Sequence, residues 1–158
     1  MQTKELHWYS ERLNRDMPLK IYGHAGKPCL VIPSQNGKHG DFESFGMVEA
    51  CRPWIDGGKL QLFCIDTIDA ETWSCSWKPP RERIELHERW IQYLMREVCP
   101  LMESCSDGNR LMTMGCSMGA FHAGKLFFRF PDRFDATSSL SGRFDLPQKQ
   151  GADKGHPG

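Results

Sequence analysis

Gly115-Cys116-Ser117-Met118-Gly119 sets a serine between two glycines, each two positions away. A serine hydroxyl attacks a carbonyl carbon effectively only when a tight turn holds it out from the backbone, and small outer residues let two chain segments approach closely enough to form that turn. The chemistry implied is nucleophilic attack by Ser117 on an acyl carbonyl. The string alone is weak: at about 7% glycine usage it arises by chance in about one chain in twenty of this length. Its setting is stronger. Asp107-Gly108-Asn109 signals a turn, Arg110 to Met114 is a short run with Leu and two Met, and Met118 to Phe130 reads as a helix ended by Pro131. Strand, Gly-x-Ser-x-Gly and helix follow in the order such an elbow requires. Gly119, Ala120, Ala123 and Gly124 are small enough for close packing on a sheet, and Phe121, Leu126, Phe127 and Phe130 supply apolar area.

One competing motif overlaps the elbow. Gly119 to Lys125 fits the first seven positions of a phosphate-binding loop, but Leu126 stands where Ser or Thr would hold Mg²⁺. Acyl transfer also needs a base for the serine proton and a carboxylate to orient that base. The histidines offer no strong candidate. His122 falls about 140° around the helix from Ser117 and reads as a packed helix residue. His39 lies in a polar loop, His87 sits on the apolar stripe of a long helix, His156 is in a polar tail, and His7 and His24 carry no motif.

The elements that would position this chemistry alternate in type. His7 to Ser10 and Leu19 to Tyr22 read as a hairpin turning through Asn14 to Pro18, and Pro28 to Pro33 as a central strand. The loop Ser34 to Gly40 precedes a helix from Asp41 with Phe42, Phe45, Met47 and Val48 on one face. Lys59 to Ile65 is another apolar strand, ended by Asp66. Ile84, His87, Trp90, Ile91, Leu94, Val98 and Leu101 mark a long helix over Pro80 to Glu103, and Phe134 to Leu140 is a further strand. Alternation of this kind implies a mostly parallel sheet with helices on both faces.

Composition narrows the class. The chain has 158 residues, the size of one domain, with 20 basic and 20 acidic side chains and no net charge, so nothing points to nucleic acid or an anionic membrane. No apolar run approaches the roughly 20 residues of a membrane span, and the opening Met1 to Leu6 lacks a signal peptide's apolar core, which makes a cytoplasmic protein the expectation. The seven cysteines are odd in number and include no Cys-x-x-Cys pair, so neither a disulfide framework nor a zinc site is expected. They read mostly as buried thiols, and Cys116 as a small apolar neighbour of the nucleophile. No metal and no cofactor is called for.

With Met114 to Ala123 and Arg129-Phe130-Pro131-Asp132-Arg133-Phe134 in view, the chain resembles the esterase branch of the α/β-hydrolases, the group that includes esterase D-like and mycolyltransferase-like enzymes. Ile65-Asp66 with Trp73 downstream and the Pro79-Pro80-Arg81 helix entry are similar too. The resemblance runs from about Leu6 to Leu146. It implies an α/β fold of the α/β-hydrolase type and a serine esterase acting on a small-molecule carboxylic ester. It also implies an oxyanion hole built from backbone N–H groups at Gln35 or Asn36 and at Met118. In such enzymes the acid and the histidine follow Ser117 on later strands. Here Asp145 is the candidate acid, and Pro147 to Gly158 is polar with no apolar run. The expected organisation is therefore an incomplete core over residues 1–146, with its C-terminal strands missing, and a polar tail over 147–158. A non-catalytic binding protein that keeps the elbow without its partners is the second class, and a homo-oligomer is left open.

Overall fold

Period-two alternation along the central strands decides the layering. In a computed structural model that describes residues 1–106 and 108–140, β3 (Lys27–Ile32) sends Leu30 and Ile32 into one core and Cys29 and Val31 into the other. The strand β4 (Leu60–Ile65) does the same with Phe63 and Ile65 against Leu62 and Cys64. Strands apolar on both faces belong in the middle of a sheet covered by helices. The described residues form one six-stranded sheet in the order β1-β2-β4-β3-β5-β6, with β1 (Thr3–Ser10), β2 (Arg15–Tyr22), β5 (Leu111–Cys116) and β6 (Phe134–Leu140) outside the central pair. The strands β4, β3, β5 and β6 run parallel, and the β1–β2 hairpin joins antiparallel through β2. This is the expected α/β architecture.

The hairpin turn lies earlier than Asn14 to Pro18, because Asp16, Met17 and Pro18 are already in β2. β4 pairs with β2 only from Leu19 onward, so Pro18 has a strand neighbour on one side only, where a missing N–H is tolerated.

One face is covered by two helices, α1 (Asp41–Ser44) and α2 (Met47–Asp56), in place of the single helix expected from Asp41. Gly46, at φ +78°, breaks the chain between them, and Phe45, expected on the buried face, is 74% exposed. Phe42, Val48 and Ile55 bury against Tyr22, Cys29, Val31 and Leu62.

The other face carries α3 (Pro80–Tyr93), a π-helical turn over Leu94–Val98, α4 (Cys99–Ser104) and α5 (Met118–Arg129). Trp90, Ile91, Leu94, Val98, Ala123 and Leu126 pack there against Leu30, Ile32 and Phe63. Ile84 does not join that stripe; it is 68% exposed. Thr113 Oγ1 donates to the Ala123 carbonyl at 2.9 Å, which pins α5 onto β5. All parallel strands point their carboxyl ends to one edge, where a ligand site in an open α/β sheet is built.

Candidate active site

Ser117 stands at that edge, at the step from β5 to α5, with φ +56° and ψ −118°. An L-residue in this region carries strain of about 1–3 kcal/mol, and such strain persists only where the surroundings force it. Two glycines supply the force. A Cβ on Gly115 would lie 2.1 Å from the Gly119 carbonyl oxygen, and one on Gly119 would lie 2.2 Å from the carbonyl oxygens of both Ile32 and Pro33. The start of α5 is therefore pressed against the end of β3 with no room for side chains. Ser117 itself is exposed, and its N–H donates to the Leu140 carbonyl at 2.9 Å, so β6 ends beside the elbow.

The loop after β3 is held by the loop after β4. Gly37 N–H closes a turn on the Ser34 carbonyl at 2.8 Å, and Asn36 sits at φ +60°. Thr67 donates both its N–H and its hydroxyl to the Gly37 carbonyl, at 3.1 and 3.2 Å. Ser74 Oγ donates to Asn36 Oδ1 at 3.0 Å, and Gln35 Nε2 donates to Ser74 Oγ at 2.6 Å. Asp69 Oδ2 accepts the Asn36 N–H at 3.3 Å. Of the two alternatives expected in this loop for an oxyanion donor, Gln35 or Asn36, the Asn36 N–H is thus turned toward Asp69. Gln35 and Met118 N–H donate to no acceptor among the described residues. Met118 is the first residue of α5, so its free N–H lies at the positive end of the helix dipole.

Asp69, Asp66, His39, His87 and His122 form the polar support behind this edge. Asp69, in a 3₁₀ turn (Asp69–Glu71), takes His122 Nε2–H at 3.0 Å through its other oxygen, leaving His122 Nδ1 buried without a partner among the described residues. His122 stacks on His87 at 5.4 Å between ring centroids and tilts against Trp90 at 5.0 Å. His87 accepts the Trp73 Nε1–H on Nδ1 at 3.3 Å, and burial, followed by neighbouring His122, lowers its pKa to about 4. His39 is clamped: Nδ1 lies 2.7 Å from Asp66 Oδ1, its N–H donates to the same oxygen at 2.8 Å, and Nε2 lies 3.0 Å from Glu5 Oε1. Desolvation raises the buried thiols of Cys29 and Cys64 well above the ordinary range and that of Cys99 to about 12, so these are packing groups, whereas Cys116 is exposed beside Ser117.

None of the five histidines among the described residues hydrogen-bonds to Ser117. Asp145 and His156 lie outside the described residues, as does the polar tail. The Asp69–His122 pair spans 53 residues, and no spacing in the sequence could announce it. Among the described residues no group of three or more side chains could hold a metal ion, and no helix is long and apolar enough to cross a membrane.

Comparison with known proteins agrees with this fold. Residues 10–149 match the family model described as Putative esterase. An S-formylglutathione hydrolase from Agrobacterium tumefaciens superposes with a TM-score of 0.68 at 19% identity, over 89% of this chain and 57% of that one. A ferulic acid esterase superposes at 0.71 and 15% identity, over 96% of this chain and 62% of that one. MPT51 of Mycobacterium tuberculosis does so at 0.67 and 18%, over 90% and 51%. At such identities the likeness is one of fold, and the chain spans less than two thirds of the length of each of these structures. No curated protein sequence matches the chain.

Proposed function

We propose that this chain, which belongs to the esterase family whose model it matches, carries the nucleophile and the oxyanion donors of a serine ester hydrolase acting on a small-molecule carboxylic ester. The observation that carries the reading is the strained backbone of Ser117, wedged between two glycines that admit no Cβ. A fold does not maintain such a conformation at an exposed serine for stability alone.

Ser117 Oγ attacks the ester carbonyl carbon while a base takes its proton. The carbonyl π bond opens, and the negative charge collects on the former carbonyl oxygen. Gln35 and Met118 N–H groups donate to that oxygen, helped by the α5 dipole, and removal of one such donor in related chemistry costs about 3–4 kcal/mol. Collapse expels the alcohol after it regains a proton and leaves an acyl-Ser117 ester, which water cleaves by the same steps in reverse order. His39, His87 and His122 are hydrogen-bonded to Asp66 and Glu5, to Trp73 and to Asp69 respectively, and among the described residues none of them reaches Ser117. The free thiols, four of them buried, fit a reducing cytoplasmic setting.

Labelling with a fluorophosphonate tests the reading: Ser117 should be modified, Ser117→Ala should not, and p-nitrophenyl acetate hydrolysis should fall with it. A chain that labels no faster than free serine would overturn it.

A further inference from the structure

A cleft of about 470 Å³ opens on the flank of the α3–α5 layer, bounded by α3, the loop after β4 and the second turn of α5. Its volume lies within the range of small-ligand pockets, about 300–1,000 Å³. Ser117 does not line it.

Its walls divide into two kinds. Trp73 and Ile84, 40% and 68% exposed, form its apolar side. Against them stand cations without carboxylate partners. Lys125 Nζ lies 5.8 Å from the Trp73 ring centroid and 5.4 Å from that of Phe121, and among the described residues it pairs with no acid. Arg83 Nε is buried with no acceptor among the described residues. Glu88, the one acid lining the cleft among the described residues, is already held by both terminal nitrogens of Arg129. His87 adds a further donor. Its Nδ1 accepts from Trp73, so the neutral ring carries its proton on Nε2, and that atom too is buried without a partner. A buried donor left without an acceptor is costly and calls for an explanation.

A carboxylate is acceptor-only and planar, which suits a guanidinium and an ammonium in one wall. We propose that this cleft binds a small organic carboxylate bearing an aromatic or branched apolar group, its carboxylate between Arg83 and Lys125 and its apolar part against Trp73 and Ile84. The site is separate from the ester chemistry at Ser117 and does not rest on it.

3-Phenylpropionate and its uncharged twin 3-phenylpropionamide are the probes, titrated into the purified chain while amide and indole resonances are followed. Saturable shifts are expected at the Trp73 indole N–H, along residues 83–88 and at Lys125. The acid should bind at least about tenfold more tightly than the amide. Lys125→Gln, exposed on α5 and neutral to folding, should remove most of that difference, and Arg83→Gln should do the same. A chain blocked at Ser117 by a fluorophosphonate should bind the acid unchanged. Equal affinity for acid and amide overturns the proposal, as does no saturable binding at millimolar concentration. So do shifts centred on Gln35 and Ser117, loss of binding on blocking Ser117, or indifference to Lys125→Gln.

Discussion

His122 Nε2 lies 3.0 Å from Asp69 Oδ1, with the two side chains 1% and 3% exposed, and the other oxygen of the same carboxylate takes the Asn36 N–H at 3.3 Å. One buried carboxylate therefore ties the first turns of α5 to the loop beside the oxyanion position. Both elements that set the elbow's surroundings meet on Asp69.

Removing that carboxylate leaves the buried His122 Nε2–H and the part-buried Asn36 N–H without their acceptor. Asp69→Ala should lower stability by about 3 kcal/mol in urea unfolding, with the slope unchanged. Asp69→Asn, which keeps one acceptor oxygen, should cost less. In both, fluorophosphonate labelling of Ser117 should slow, because Gln35 adjoins the loosened Asn36. A loss under about 1 kcal/mol in Asp69→Ala would show that the pair is not a strut.

The strain at Ser117 is separable from its hydroxyl. Ser117→Ala keeps a Cβ at φ +56° and should leave stability within about 0.5 kcal/mol of the parent. Ser117→Gly removes the Cβ and should stabilise by about 1 kcal/mol, after the entropy that glycine adds to the unfolded chain. Both should abolish labelling. Equal unfolding midpoints for the two variants would mean that no strain is stored there.

These relationships differ in how far the sequence announces them. The elbow is legible because its determinants are local: Gly115, Ser117 and Gly119 fall within five consecutive residues, between a strand and a helix. The central strands are legible because Leu30 and Ile32 alternate with Cys29 and Val31. The support of the site is not. Asp69 meets His122 and Asp66 meets His39 only because β4 and β5 both neighbour β3 in the sheet, which brings the loops after β3, β4 and β5 to one edge. Pair spacings of 53 and 27 residues carry no periodic signal. The break at Gly46 escaped for the opposite reason, since Phe42, Phe45, Met47 and Val48 fit a helical face while the chain needed a turn.

Close backbone approach makes one glycine far less replaceable than another. Gly119→Ala forces a methyl to within 2.2 Å of the carbonyl oxygens of Ile32 and Pro33, whereas Gly40 has nothing within 4 Å of a Cβ and lies at φ −91°. Gly119→Ala should therefore cost about 3 kcal/mol or more and abolish labelling of Ser117, and Gly40→Ala should change stability by less than about 0.5 kcal/mol. Thermal unfolding of the two variants beside the parent decides it; similar midpoints would mean that α5 can retreat from β3.

The buried His87 sets a pH window for stability. Its pKa is about 4 in the folded chain, lowered first by burial and then by His122, against about 6.5 when exposed on unfolding. Between those values the unfolded chain binds more protons than the folded one, so stability rises with pH. The contribution is complete above about pH 6.5 and is lost progressively as pH falls toward 4, where both states become protonated. A shift of this size corresponds to roughly 3 kcal/mol at most. His87→Gln removes the titration while keeping a side chain able to accept from Trp73 Nε1–H. Relative to the parent, the variant should lose less stability between pH 7 and pH 4.5, and the difference between the two urea midpoints should narrow with acid. Parallel pH profiles would show that His87 takes up its proton at the same pH in the folded and unfolded chains, so that burial does not hold it neutral.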